Sequence, residues 1–110
     1  MDHDFAHIPV VVTNAEDARL IQRGRLRLLK AAFDRILKTV LRKIELSCKE
    51  NLSVMSLRTI IPPTVMGYPL YRREDARRYV KKKLERLGFI VTWPYNSQNI
   101  IIVSWAKKDI

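Results

Sequence analysis

The sequence is poor in the residue types from which most catalytic and metal sites are built. It holds one cysteine, Cys48, and two histidines, both within the first seven residues. A single thiol excludes an internal disulfide and any site with several cysteine ligands. His3 and His7 lie beside Asp2 and Asp4, but no third ligand of suitable spacing follows. We therefore expect no enzyme, no metal site and no cofactor.

Glycine and long apolar runs are also scarce. With three glycines in 110 residues, no glycine-rich loop is available to hold a phosphate. No apolar run approaches the roughly 20 residues that a membrane-spanning helix needs. The first residues lack the basic region and apolar core of a secretory signal. We expect a protein that is soluble or lies on a surface, on the reducing side of any membrane.

Positive charge is what the sequence has in excess. Lys and Arg number 21 against 11 Asp and Glu, for a net charge of +10. Residues 1–17 hold four acids and no Lys or Arg, so the excess lies in the rest of the chain. The acidic start is predicted to be a solvated terminus, or to fold over the basic body or a second copy of it. The basic body favours a polyanionic partner, which is nucleic acid, an anionic membrane face or an acidic protein surface.

A helical segment is predicted over residues 14–50, with Thr13 and Glu16 as a capping box at its start. Gly24 interrupts it at a cost of about 1 kcal/mol relative to Ala, so the segment is either one helix or two helices hinged there. Unbroken, it would span about 55 Å, which is long for a compact monomer and suggests a bundle, a dimer or an extended bracket. Apolar residues at steps of three and four are assigned to helix packing or self-association: Leu29, Phe33, Ile36, Val40 and Ile44.

The rest of the chain mixes a loop, a second helix and strands. Residues 51–71 are predicted to be an ordered loop, in which Leu57, Ile60 and Ile61 favour a short strand. Residues 72–110 are predicted to form a helix that ends at Gly88 and then two strands joined by a four-residue loop at 96–99. The fold class is thus α+β, with an acidic extended arm over 1–13 and a single domain over 14–110.

The second helix is the densest basic segment. Its eight cations are predicted to bind phosphates or an acidic partner, or else to form a solvated face moderated by three acids. These cations are Arg72, Arg73, Arg77, Arg78, Lys81, Lys82, Lys83 and Arg86. Trp93 and Trp105 share strand faces with apolar residues, so we expect them to pack on the core rather than to stack on bases.

Residues 62–105 carry an ordered set of uncommon residues. A proline precedes an apolar pair, Gly-x-Pro-Leu-Tyr precedes a helix, Gly-Phe-x-Val follows it, and the last strand closes in Ser-Trp. These are Pro63, Gly67, Pro69, Leu70, Tyr71, Gly88, Phe89, Val91, Ser104 and Trp105. The pattern resembles an uncharacterised family of small proteins of large nucleocytoplasmic DNA viruses, although Arg72 and Arg73 stand where the family has a polar capping residue. The resemblance implies a viral, non-enzymatic context and assigns no catalytic residue.

Two functions are expected from these observations. The first is a structural component of a large DNA virus particle, a minor capsid or virion protein located in the virion and, during assembly, in the host cytoplasm. Its partners would be other virion proteins with acidic surfaces or further copies of itself, in an oligomer or larger assembly, and not a small-molecule substrate. The alternative is a nucleic-acid-binding accessory protein that contacts phosphates through residues 72–86. An anionic membrane surface is a further possible partner, since it is negatively charged like nucleic acid.

Overall fold

The computed structural model of the chain describes residues 12, 14–97 and 99–107. These residues form helix α1 (Ala15–Glu50), strand β1 (Ser56–Ile60), helix α2 (Arg73–Arg86) and strands β2 (Ile90–Thr92) and β3 (Ile100–Ser104). The predicted α+β class is confirmed. The predicted acidic arm lies outside the described residues except for Val12.

Helix α1 is one continuous helix of 36 residues. The hinge considered at Gly24 is absent, because the helix-favouring Leu, Arg, Lys and Ala residues on both sides outweigh one glycine. Asn14 is the N-cap, and its side chain accepts a hydrogen bond from the N–H of Asp17 at 2.9 Å. The cap is therefore one residue later than predicted, and Thr13 lies outside the described residues. The helix accounts for most of the longest dimension of the molecule, 58 Å.

The three strands form one antiparallel sheet in the order β1-β3-β2. Strand β1 pairs with β3 from Ser56 opposite Ser104 to Ile60 opposite Ile100. Residues 51–71 thus supply an edge strand as well as loops. This strand adds to the predicted C-terminal hairpin, so the sheet has three strands and not two. The β2–β3 connection spans 93–99 instead of 96–99. Pro94, which has no N–H to donate, lies in this connection, where no ladder partner is needed.

The core lies between one face of the sheet and the two helices. The apolar stripes of both helices contact alternate residues of β2 and β3, because side chains on one face recur every 3.6 residues in a helix and every 2 residues in a strand. The buried set is Ile36, Val40 and Ile44 of α1, Ala76, Val80 and Leu84 of α2, Val91, Ile101 and Val103 of the sheet, and Ile61. This arrangement holds α1 and α2 side by side on the same face of the sheet.

Gly88 ends α2 in the predicted left-handed conformation, with φ +96°. The N–H of Gly88 donates to the carbonyl of Glu85 at 3.0 Å, and the N–H of Phe89 donates to the carbonyl of Leu84 at 3.1 Å. These two bonds form a Schellman motif, which satisfies carbonyls that the helix end leaves open. The motif also turns the chain directly from α2 into β2.

Two glycine substitutions should act in opposite directions on stability. Gly88→Ala should lower the free energy of unfolding by about 1 kcal/mol, because an L side chain is disfavoured at positive φ. Gly24→Ala should raise it by about 1 kcal/mol, because alanine is the better helix former. An added Cβ meets nothing within 4 Å at either glycine, so the difference reports backbone conformation alone. Urea unfolding followed by circular dichroism measures both, and a stabilising Gly88→Ala would contradict the cap.

Candidate partner-binding surfaces

Half of the cations predicted for a polyanion site on α2 are exposed. These are Arg72, Arg78, Lys82 and Arg86. The guanidinium groups of Arg72 and Arg78 lie 3.6 and 3.3 Å from the carboxylate of Glu74. Exposed ion pairs of this kind contribute little to stability, but each one offsets positive charge that a polyanion would use.

The other four cations of α2 face the protein itself. The guanidinium of Arg77 lies 4.2 Å from the centroid of the Trp93 ring, and only 9% of this residue is exposed. Arg73 donates from Nε to the carbonyl of Ile61 at 2.7 Å. Lys81 and Lys83 are half-buried, and Lys81 pairs with Glu85. The assignment of Arg77 to an open polyanion-binding face is therefore wrong, because the β2–β3 loop places an indole over it.

The two tryptophans differ in their roles. Trp105 packs against the core, as predicted. Trp93 is outside the core, so the prediction is wrong for this residue: it is 36% exposed, and its ring covers Arg77, with the Lys81 ammonium 5.7 Å from the ring centroid. Arg77 thus occupies one face of the Trp93 ring.

Helix α1 extends beyond the core at its N-terminal half. The stripe residues Ile36, Val40 and Ile44 are buried in the core, where they serve helix packing within the chain. Leu29 and Phe33 are half-buried, and no residue from 15 to 31 is buried. This half is about 25 Å long. Large apolar side chains are exposed along it: Leu20, Ile21, Leu26 and Leu28.

A groove of about 500 Å³ lies where this projecting half meets the loop before α2. Apolar side chains from both elements form most of its surface, and three cations with one acid lie around it. The apolar residues are Leu26, Leu29, Phe33, Leu70, Tyr71 and Tyr79, and the charged ones are Arg25, Lys30, Arg72 and Asp75. We call this feature the α1–loop groove. Sequence reasoning identified Leu29 and Phe33 but not the groove, because its second wall comes from a segment some 40 residues away.

Aromatic rings hold the floor of the α1–loop groove in place. The Phe33 ring lies edge-on to Tyr71, with centroids 5.4 Å apart, and 5.5 Å from Tyr79. The Tyr71 hydroxyl donates to the carbonyl of Pro62 at 2.6 Å, and the Tyr79 hydroxyl donates to the Asp34 carboxylate at 2.5 Å.

Both tyrosine hydroxyls of the floor keep their protons near neutral pH. Burial raises the pKa of Tyr71. Burial, with the hydrogen bond and charge of Asp34, raises the pKa of Tyr79 to about 12. The floor is therefore uncharged and fixed in position.

The outer face of the sheet is a second apolar surface. Ile60 and Ile90 are exposed there, beside half-buried Ile100 and Ile102 of the central strand. A central strand with isoleucine on both faces is typical of a sheet that is covered on both sides. The helices cover only the inner face.

Neither a metal-ligand group nor a membrane-spanning helix occurs in the part of the chain that the structure describes. Over residues 12, 14–97 and 99–107, no group of three His, Cys, Asp or Glu side chains is placed to hold a metal ion. No helix in the same ranges is long and apolar enough to cross a membrane.

Comparison with known proteins places the chain in a family. Residues 13–85, which are two-thirds of the chain, match the model of a family of unknown function (DUF5759), and the chain belongs to that family. The matched region includes α1, β1 and nearly all of α2, but not β2 and β3. No curated protein and no solved structure matches the chain.

Proposed function

We propose that this member of the DUF5759 family is a non-enzymatic structural component of a large DNA virus particle, a minor capsid or virion protein. The viral context comes from the resemblance of residues 62–105 to small proteins of large nucleocytoplasmic DNA viruses. The protein would bind its partners in the host cytoplasm during assembly and remain with them in the virion. Its partners would be other virion proteins or further copies of itself.

The observation that carries the proposal is the projecting half of α1 with the α1–loop groove at its base. A monomer gains nothing from about 25 Å of helix that carries exposed leucines past its own core. The same helix serves a protein that connects neighbours, because a rigid helix holds two contact surfaces at a fixed distance. The groove and the outer face of the sheet lie on different elements and so provide two such surfaces.

The chemistry of the groove specifies the kind of segment that it binds. Its apolar floor suits aliphatic or aromatic side chains, since burying each one contributes roughly 1.5–3 kcal/mol. Arg25, Lys30 and Arg72 around it favour acidic residues at the ends of that segment. We therefore propose an acidic, apolar segment of a virion protein as the partner.

Residues that carry the viral resemblance lie in and beside this groove. Gly67 has φ +88°, and this turn leads to Leu70 and Tyr71 in the groove wall. The Tyr71 hydroxyl anchors the wall to the carbonyl of Pro62. Two residues of the family pattern, Leu70 and Tyr71, thus form part of the groove wall, which supports a binding role for that part of the pattern.

Leu70→Asp tests the proposal in particles. Leu70 is 73% exposed, so its replacement should leave the fold intact while placing a carboxylate over the apolar floor. In cells infected with the parent virus, the tagged wild-type chain should be recovered in purified particles, and Leu70→Asp should be recovered at least about tenfold less, the equivalent of 1.4 kcal/mol. Quantitative mass spectrometry of the particles measures both.

Leu52→Asp is the matched control, since Leu52 is 89% exposed and lies outside the groove. It should enter particles like the wild type. Absence of the wild-type chain from purified particles would refute the structural role. Equal recovery of all three chains would refute the groove as the contact.

A further inference from the structure

Five exposed cations follow one another along the side of α1 that faces away from the core. They are Arg23, Arg27, Arg35, Lys38 and Arg42, which we call the outer row. Their spacings of 4, 8, 3 and 4 residues keep them on one side of a helix with 3.6 residues per turn. Because α1 is continuous, the row is unbroken, about 29 Å long, and turns by about 100° around the helix from Arg23 to Arg42.

The outer row belongs to a segment that is longer than α2 and carries a larger net charge. Residues 18–44 hold nine Lys and Arg against one acid, a net charge of +8, whereas residues 73–86 hold seven against three, a net of +4. The one acid is Asp34, whose carboxylate accepts the hydroxyl of Tyr79. The outer row therefore lies in a segment with twice the net charge of α2 and about the same charge per residue.

The C-terminal part of the row forms a recess in which an anion can lie. Arg35, Lys38 and Arg42 line a surface groove of about 520 Å³ together with Thr39, Tyr68 and one acid, Asp34, whose carboxylate accepts a hydrogen bond from Tyr79. Tyr68 comes from the loop before α2, so its hydroxyl adds a donor from a second element. Guanidinium and ammonium groups with a hydroxyl are the donors that bind phosphate oxygens.

The burial of α1 distinguishes among polyanions. A helix that binds a membrane surface inserts its apolar face below the lipid head groups. The apolar face of α1 opposite Arg35, Lys38 and Arg42 is Ile36, Val40 and Ile44, and it is packed into the protein's own core. A row of cations along a convex rod instead matches a line of phosphates on another rod-shaped molecule.

We propose that the outer row binds the phosphate backbone of duplex nucleic acid. The row consists of Arg and Lys alone, so it reads charge and not base sequence. The proposal goes beyond the structural role proposed above and uses a different surface from the α1–loop groove. It also moves phosphate binding from α2, where the sequence predicted it, to α1.

The salt dependence of duplex binding measures the number of contacts. With all five cations on phosphates, the slope of log K against log salt for a fluorescent duplex of about 20 base pairs should be about −4.5. Replacing Arg35, Lys38 and Arg42 by Gln should bring the slope close to −2 and weaken binding at least about tenfold at low salt, since about three counterions fewer are released. Fluorescence anisotropy at several salt concentrations gives both values.

The matched control replaces Arg78, Lys82 and Arg86 of α2 by Gln, which removes the same charge from exposed positions. Its slope should stay within about one unit of the wild type. If both triple variants lost duplex affinity equally, net charge alone would explain the binding. If the α2 variant lost more affinity, the phosphate-binding site would be on α2. Either result overturns the proposal, as does an absence of binding at low salt.

Two further measurements separate this proposal from the others. Vesicles containing anionic lipid should bind more weakly than the duplex, and the reverse order would overturn the choice of ligand. Leu70→Asp should bind duplex like the wild type. The proposal for the α1–loop groove and the proposal for the outer row can therefore be refuted independently of each other. Circular dichroism melting of both triple variants verifies that each is folded, as all six positions are exposed.

Discussion

Leu84→Ala is expected to lower the free energy of unfolding by about 2–5 kcal/mol. Leu84 is 0% exposed and lies where α2 packs on the sheet, in one cluster with Val80, Ile101 and Val103. Truncation removes buried methyl groups and leaves a cavity that surrounding elements fill only in part. A domain of this size has a total stability of about 5–15 kcal/mol, so the loss is a large fraction of it.

Leu87→Ala provides the comparison within the same helix end. Leu87 is 60% exposed and three residues further on, and its truncation should cost less than about 1 kcal/mol. Urea unfolding followed by far-UV circular dichroism gives both values. Similar losses in the two variants would mean that α2 packs through a different face from the one described.

The helices could be predicted from sequence because their signals are local. The stripe at steps of three and four and the polar residues after Glu50 indicate α1, and Gly88 marks the end of α2. Each of these signals acts over one or two turns, so no distant contact is needed to read them. Helix bounds were accordingly right to within one residue at the ends that the structure describes.

The sheet was harder to predict because its pairing is distant. Ser56 pairs with Ser104, 48 residues later. The sequence pattern at 57–61 predicts a strand but does not indicate which strand it pairs with. The connection 93–99 was predicted too short, since its polar tip suggested a tight turn while Pro94 and the register of β3 ended the ladder earlier. Long-range pairing of this kind depends on which strand edge remains accessible once the helices have packed on the sheet.

The candidate surfaces also differ in whether they depend on local sequence or on distant contacts. The outer row can be read from the spacing of cations in the sequence once α1 is known to be continuous. The α1–loop groove cannot, because Leu70 and Tyr71 reach Phe33 only through the fold. Arg77 shows the converse error: its place in a basic run predicts exposure, and a distant indole covers it.

Arg77→Ala is expected to destabilise the protein by about 2 kcal/mol, the range of a desolvated cation–π contact. The guanidinium lies 4.2 Å from the centroid of Trp93, and the side chain is nearly buried under that ring. The aliphatic part of the side chain also packs there, so the substitution removes apolar contacts together with the charge. Urea unfolding measures the loss.

Arg78→Ala is the control for charge, since it removes one cation from the adjacent, exposed position of the same helix. Its effect should stay within about 0.5 kcal/mol, as is usual for exposed residues and exposed ion pairs. Tryptophan fluorescence adds a specific reporter: Arg77→Ala should shift the Trp93 emission in the folded state, and Arg78→Ala should not. Because Arg77 stabilises the β2–β3 loop and lies outside the outer row, folded Arg77→Ala should leave the duplex slope of the wild type unchanged, whereas loss of one phosphate contact would lower its magnitude by about 0.9. A slope lowered by that amount would place Arg77 among the phosphate contacts and contradict its burial.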